Sequence, residues 1–125
     1  MNAPAARTVV RVDFEAERPQ SRPQAPTGRV PRVARLLASA HRIDSMIRNG
    51  ELDDLAEAAR RQNLTRARVT QITNLLLLAP EIQEAILSLP PITEGRDPIT
   101  ERQLRPIAAE PDWNRQLSMW RQINV

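Results

Sequence analysis

The sequence has 125 residues, room for one small domain with a modest core and tails. It contains no cysteine, which excludes disulfides and thiolate metal sites, and no apolar run of membrane-spanning length. Net charge is +3 and uneven: residues 18 to 48 carry seven Arg against one Asp, while 80 to 125 carry five Arg against seven acids, which suits a chain with one nucleic-acid face.

In chain order, residues 1 to 29 read as a flexible, basic arm rich in Pro and Arg. MNAPAARTVV has no signal-peptide core, as expected of a cytoplasmic, nucleoid-associated protein. Val10, Val12 and Phe14 alternate onto one side, the pattern of a short strand or of a chance alternation in a tail. Arg18 to Arg32 reads either as a minor-groove arm, with Arg29 and Arg32 as its hooks, or as a linker adding non-specific charge.

Residues 30 to 125 read as an all-α domain of about five or six helices. Pro31 opens the first, and Val33, Leu36, Leu37, Ala40, Ile43 and Ile47 form its apolar stripe up to Asn49-Gly50. The second is expected from Leu52 to Gln62, burying Leu52, Leu55, Ala56 and Ala59. With the next helix, expected from Thr65 to Leu78, it makes a helix-turn-helix over residues 52 to 78.

That unit carries the functional signal. Ala59 is the small residue where two helices can touch. Asn63 stands where the turn needs a left-handed backbone, and Leu64 is expected to plug the turn into the core. Thr65 is a good N-cap. Val69 and Ile72 fall three apart on the buried face, leaving Arg66, Ala67, Thr70, Gln71 and Asn74 outside. Arg, Gln and Asn are the side chains that read base edges, and Thr can meet a thymine methyl. No acid lies between Ala58 and Pro80, whereas Arg60, Arg61, Arg66 and Arg68 do. An idle solvated face more often mixes both signs. Two ordinary packed helices with a short turn are the competing reading.

Pro80 opens a fourth helix with Ile82, Ala85, Ile86 and Leu89 inward, ended by Pro90-Pro91. Thr100 with Gln103 makes a capping box before Leu104, Ile107 and Ala108, and Pro106 either kinks or restarts that helix. Pro111 opens a last helix. Its Trp113, Leu117 and Trp120 are expected either to form a partner interface or to complete the core.

From about Glu51 to Trp113 the chain resembles the helix-turn-helix core of ParB- and KorB-type partition and repressor proteins. The matching text is AEAARRQNLTRARVTQITNLLLLAPEIQEAIL, then ITERQLRPIAAEPD. Its most specific parts are the recognition helix and LAPEIQ, Leu78 to Gln83. The family's nucleotide-binding domain has no counterpart in this text, so what the resemblance implies is a DNA-reading module acting through Arg66, Ala67, Thr70, Gln71 and Asn74.

Other chemistries find little support. One His and no Cys do not assemble a metal site. Glycine occurs only at 28, 50 and 95, which leaves no phosphate loop. Aromatics are too few for a base-stacking platform. No cofactor, small-molecule ligand or catalytic constellation is evident, so no enzyme is expected. The expected function is sequence-specific binding of double-stranded DNA, as a transcriptional regulator or accessory factor of a mobile element, plasmid or phage. Arg66, Gln71 and Asn74 would read bases, while Arg60, Arg61 and Arg68 would grip the backbone from a homodimer. The alternative is a protein–protein adaptor built on a degenerate helix-turn-helix.

Overall fold

Pro31 lacks an N–H that a helix start would leave unbonded anyway, and it stands directly before α1, Arg32–Arg48. The computed structural model describes residues 28 to 123, and among them six α-helices form and no strand. The all-α expectation therefore holds. The alternating segment Val10 to Phe14 and most of the basic arm lie outside the described residues. The buried stripe of α1 is Val33, Ala34, Leu37, Ala40, Ile43 and Met46, so Met46 takes the place expected for half-buried Ile47. Gly50, at φ 83, supplies the left-handed turn beyond α1.

α2 is Leu55–Gln62, beginning later than the hydrophobic pattern suggests. Asp54 is the reason. Its carboxylate accepts from the Glu57 amide at 2.9 Å, and Glu57 accepts in return from the Asp53 amide at 2.6 Å. Leu52 is buried all the same, because its amide and that of Glu51 both donate to the Met46 carbonyl and fold the connection onto the end of α1.

α3 is Arg66–Thr73 and passes directly into a 3₁₀ turn, Asn74–Leu77. The sequence pattern predicts one continuous helix to Leu78, and the break has two local causes. Pro80 drives Ala79 out of the helical region, to ψ 147. The Thr73 hydroxyl also donates back to the carbonyls of Val69 and Thr70, competing with the helical ladder. α4, Pro80–Leu87, then restarts. After a connection, α5 spans Glu101–Ala109 and α6 spans Trp113–Ile123. Thr100 and Gln103 form the expected capping box. Pro106 stays inside α5, where the carbonyl it cannot serve belongs to exposed Arg102 and is open to water.

Two apolar clusters result. The larger gathers Val33 and Leu37 of α1, Leu75 and Leu78, Ile82 and Ile86 of α4, Leu104 and Ile107 of α5, and Trp120. The smaller lies beneath the helix-turn-helix and consists of Ile43, Met46, Leu52, Ala58, Ala59 and Val69. α1 spans both and packs against α3, the 3₁₀ turn and α4.

The junction from Leu76 to Ala79 exposes backbone groups that no helix satisfies, and side chains from other helices supply partners. Gln116 of α6, 1 % exposed, accepts from the Ala79 amide at 2.6 Å and donates to the carbonyls of Leu77 and Glu110. Gln83 of α4 donates to the carbonyls of Leu76 and Leu78, and its Oε1 accepts from His41 Nε2 at 2.7 Å. The lone histidine is thus an exposed hydrogen-bonding residue of α1.

Gln116→Leu fills similar volume but strands the buried Ala79 amide and removes the partner of the partly covered carbonyls of Leu77 and Glu110. Each buried group left unpaired costs about 1–3 kcal/mol. Urea unfolding is expected to register a loss of about 2–3 kcal/mol, against about 1 kcal/mol or less for substitution of exposed Gln122.

Candidate nucleic-acid interface

The turn between α2 and α3 is set by a few local bonds. Asn63 is left-handed, at φ 60 and ψ 40, the sole non-glycine residue at positive φ among the described residues. The Leu64 amide reaches back to the Ala59 carbonyl at 2.9 Å and closes the end of α2. Ala58 and Ala59 are both buried, so the two helices meet over methyl groups. Leu64 does not plug the core as expected: it is 40 % exposed, because the smaller cluster is closed by Val69 from the next helix. Thr65 caps α3, its Oγ1 accepting from the Arg68 amide at 3.0 Å.

With Val69 and Ile72 buried, the opposite side of α3 faces outward. Arg66, Ala67, Gln71 and Asn74 are exposed and Thr70 is half-buried. Arg60 and Arg61, at the end of α2, are exposed beside them. Arg66 makes no hydrogen bond or ion pair with another described residue. Arg61 is paired within its own helix to Glu57, at 2.9 Å. The Asp53 amide, with Arg61 second, holds the Glu57 carboxyl below its ordinary range.

Arg68 is placed differently from the other arginines. Its guanidinium makes a two-toothed fork with Glu101 at the start of α5, Nη1 to Oε2 at 2.6 Å and Nη2 to Oε1 at 3.0 Å. The pair is largely covered, with side-chain exposures of 25 % and 10 %. Nη1 also donates to Gln71 Oε1 at 3.1 Å, and Arg105 approaches Glu101 from its own helix at 3.5 Å. Hydrogen bonding from Arg68 holds the Glu101 carboxyl below the usual range and raises the guanidinium in turn. Arg68 therefore serves to tie α3 to α5, a role the sequence reading missed. The acid beside it lies 33 positions away, and nothing local in the sequence marks the contact.

The arm residues also differ from expectation. Arg29 forms an antiparallel bridge with Ile92, its guanidinium pairs with Asp97 at 2.7 Å, and Nη2 donates to the Gly95 carbonyl. Gly28 is required there, since a Cβ would come within 2.8 Å of the Ile92 carbonyl oxygen. The Arg32 amide donates to Asp97 Oδ2 at 2.9 Å. That bond, more than Arg29, holds the Asp97 carboxyl below its ordinary range. Arg29 is thus fixed to the domain rather than carried on a free arm. Arg32 is exposed in the first turn of α1.

Of the three residues expected as a partner face, Trp120 is buried in the larger cluster, Leu117 packs against it, and Trp113 stands 53 % exposed. Between the 3₁₀ turn and α5 lies an open, mostly apolar cleft of about 160 Å³, bordered by Gln71, Asn74, Leu77 and Arg105. No group of acids and histidines among the described residues is arranged to hold a metal ion, and no described helix is long and apolar enough to cross a membrane. Comparison with protein families, curated proteins and solved structures finds no match to this chain.

The Arg68–Glu101 fork makes stability depend on acid. A carboxyl whose folded pKa is depressed contributes stability that is complete above its unfolded value, about 4.3, and is lost as pH falls through the folded value. Glu101→Gln should therefore cost about 1–2 kcal/mol near neutral pH. Chemical denaturation as a function of pH should show wild type and variant converging below about pH 4. A difference that stays constant down to pH 2 would deny the pair its electrostatic role.

Proposed function

We propose that this chain binds double-stranded DNA sequence-specifically through α2, the Asn63 turn and α3, as a DNA-reading module of the ParB- and KorB-type in a transcriptional regulator or accessory factor of a mobile element, plasmid or phage. The observation that carries the reading is the outward side of α3. A capped helix on a left-handed turn presents Arg66, Ala67, Gln71 and Asn74 to solvent, with no acid on that helix. Positively charged and amide-bearing groups at such spacing suit the major-groove edges of base pairs.

The division of labour follows from which groups are already engaged. Arg66, unpaired among the described residues, and Asn74 and Gln71 are the base readers. Arg60 and Arg61 grip phosphate, and Arg61 does so by exchanging Glu57 for the DNA backbone. The reading includes a homodimer on half-sites about 34 Å apart, acting at the nucleoid in the cytoplasm.

Fluorescence anisotropy with duplexes from a random-pool selection tests this. Affinity should fall by about a thousandfold between roughly 50 and 200 mM salt. Gln71→Ala should cost about 1–3 kcal/mol on the selected site while leaving random duplex nearly unchanged. Arg61→Ala should weaken both alike and flatten the salt slope. Exposed Trp113 favours the alternative, an adaptor that docks a protein. On that reading no duplex is enriched and binding stays negligible even at low salt.

A further inference from the structure

The strongest remaining observation is the chain of bonds that runs from α5 to a base-reading side chain. Glu101 holds Arg68 with two hydrogen bonds, and the same Arg68 Nη1 donates to Gln71 Oε1. An amide can be turned over, but a guanidinium has no acceptor. The atom facing it at 3.1 Å must be the carbonyl oxygen of Gln71, because the reversed amide would set two donors against each other. Gln71 is itself exposed, and its Nε2 has no partner among the described residues.

Resting on the DNA-binding reading above, we propose that Glu101 and Arg68 are positioning residues that fix Gln71 as a hydrogen-bond donor and make it a reader of guanine. A free glutamine reads adenine with both ends of its amide, accepting from N6 and donating to N7. Here the oxygen is turned toward the Arg68–Glu101 pair and shared with it. What faces the groove is the NH₂ group, whose two hydrogens match the two acceptors on the guanine edge, O6 and N7. Specificity at this position is set partly by a residue on another helix that does not touch DNA.

The test is selection from a random duplex pool with the full chain, in three forms. Gln71→Ala identifies the base pair that Gln71 reads, as the position whose preference it erases. Arg68→Met combined with Glu101→Met removes both charges together, which leaves net charge unchanged and strands neither ion. Wild type should favour a G·C pair at the identified position over A·T by about tenfold, the effect of one lost contact. In the double variant that preference should shrink severalfold or pass to A·T, while the remaining positions and the affinity for random duplex stay the same. A merely structural role would weaken all positions together.

Glu101→Gln, a milder change, serves the same purpose if the double variant does not unfold cooperatively. An A·T pair at the Gln71 position in wild type overturns the proposal and leaves the DNA reading intact. So does an unchanged preference in the double variant. If wild type enriches no sequence, both fall together.

Discussion

The helix that carries the candidate DNA face must end inside the protein, and the rest of the structure accommodates that ending. From Leu76 to Ala79 the chain leaves a 3₁₀ turn, runs extended for two residues and restarts at Pro80. Leu78 and Ala79 are fully covered, so their backbone groups have no water to turn to. Gln83 and Gln116 together take the carbonyls of Leu76, Leu77 and Leu78 and the amide of Ala79. Each glutamine comes from a different helix, so satisfying this junction also locks α4 and α6 to the end of α3. A buried amide that completes every bond at such a break specifies one packing, because a shifted helix would strand several groups together.

The two apolar clusters divide the work. The larger contains long aliphatic side chains from α1, the 3₁₀ turn, α4 and α5, with Trp120, and it supplies most of the buried apolar area. The smaller is thin: two alanines from α2, Val69 from α3, and Leu52 with two residues of α1. Small side chains let α2 and α3 come close, and they give the unit little stability of its own. Its orientation is inherited through α1 and through the Arg68–Glu101 fork, which joins α3 to α5 across the flank of the candidate face. That fork is partly covered, which favours its hydrogen bonds more than a surface pair would.

Much of this was readable from residue type. Asn63, Thr65, the Thr100–Gln103 box and the Pro starts each act within a few residues, and each takes the conformation its chemistry prefers. The residue pattern misleads where one residue has two possible uses. Asp54 reads as a first-turn charge of a helix from Leu52, but it caps a helix that starts after it. Leu64 reads as a plug by hydrophobicity, yet the smaller cluster is already closed by Val69. The basic count over α2 and α3 treats all arginines alike, and folding does not. Arg61 meets Glu57 one turn away, a spacing visible in the sequence, whereas Arg68 meets Glu101 through tertiary packing that periodicity cannot reveal. Arg29 and Gln116 were obscure for the same reason, since their partners lie far along the chain.

These engagements narrow the candidate face. With Arg68 committed to Glu101 and Arg61 held by Glu57, the free positive charge of the unit lies at Arg60, in the last turn of α2, and at Arg66, in the first turn of α3. The unbonded amides of that turn add their own partial positive charge. At eight residues α3 is about 12 Å long, close to the width of the major groove. A longer helix would carry its leucine-rich end into the groove. The break at Thr73 turns Leu75 and Leu78 into the larger cluster, with Leu76 against it and Leu77 left exposed, and Asn74 is the last polar residue of the face. The abrupt ending that draws in one buried glutamine and one half-buried one is thus also what confines the exposed polar surface to one groove-sized segment.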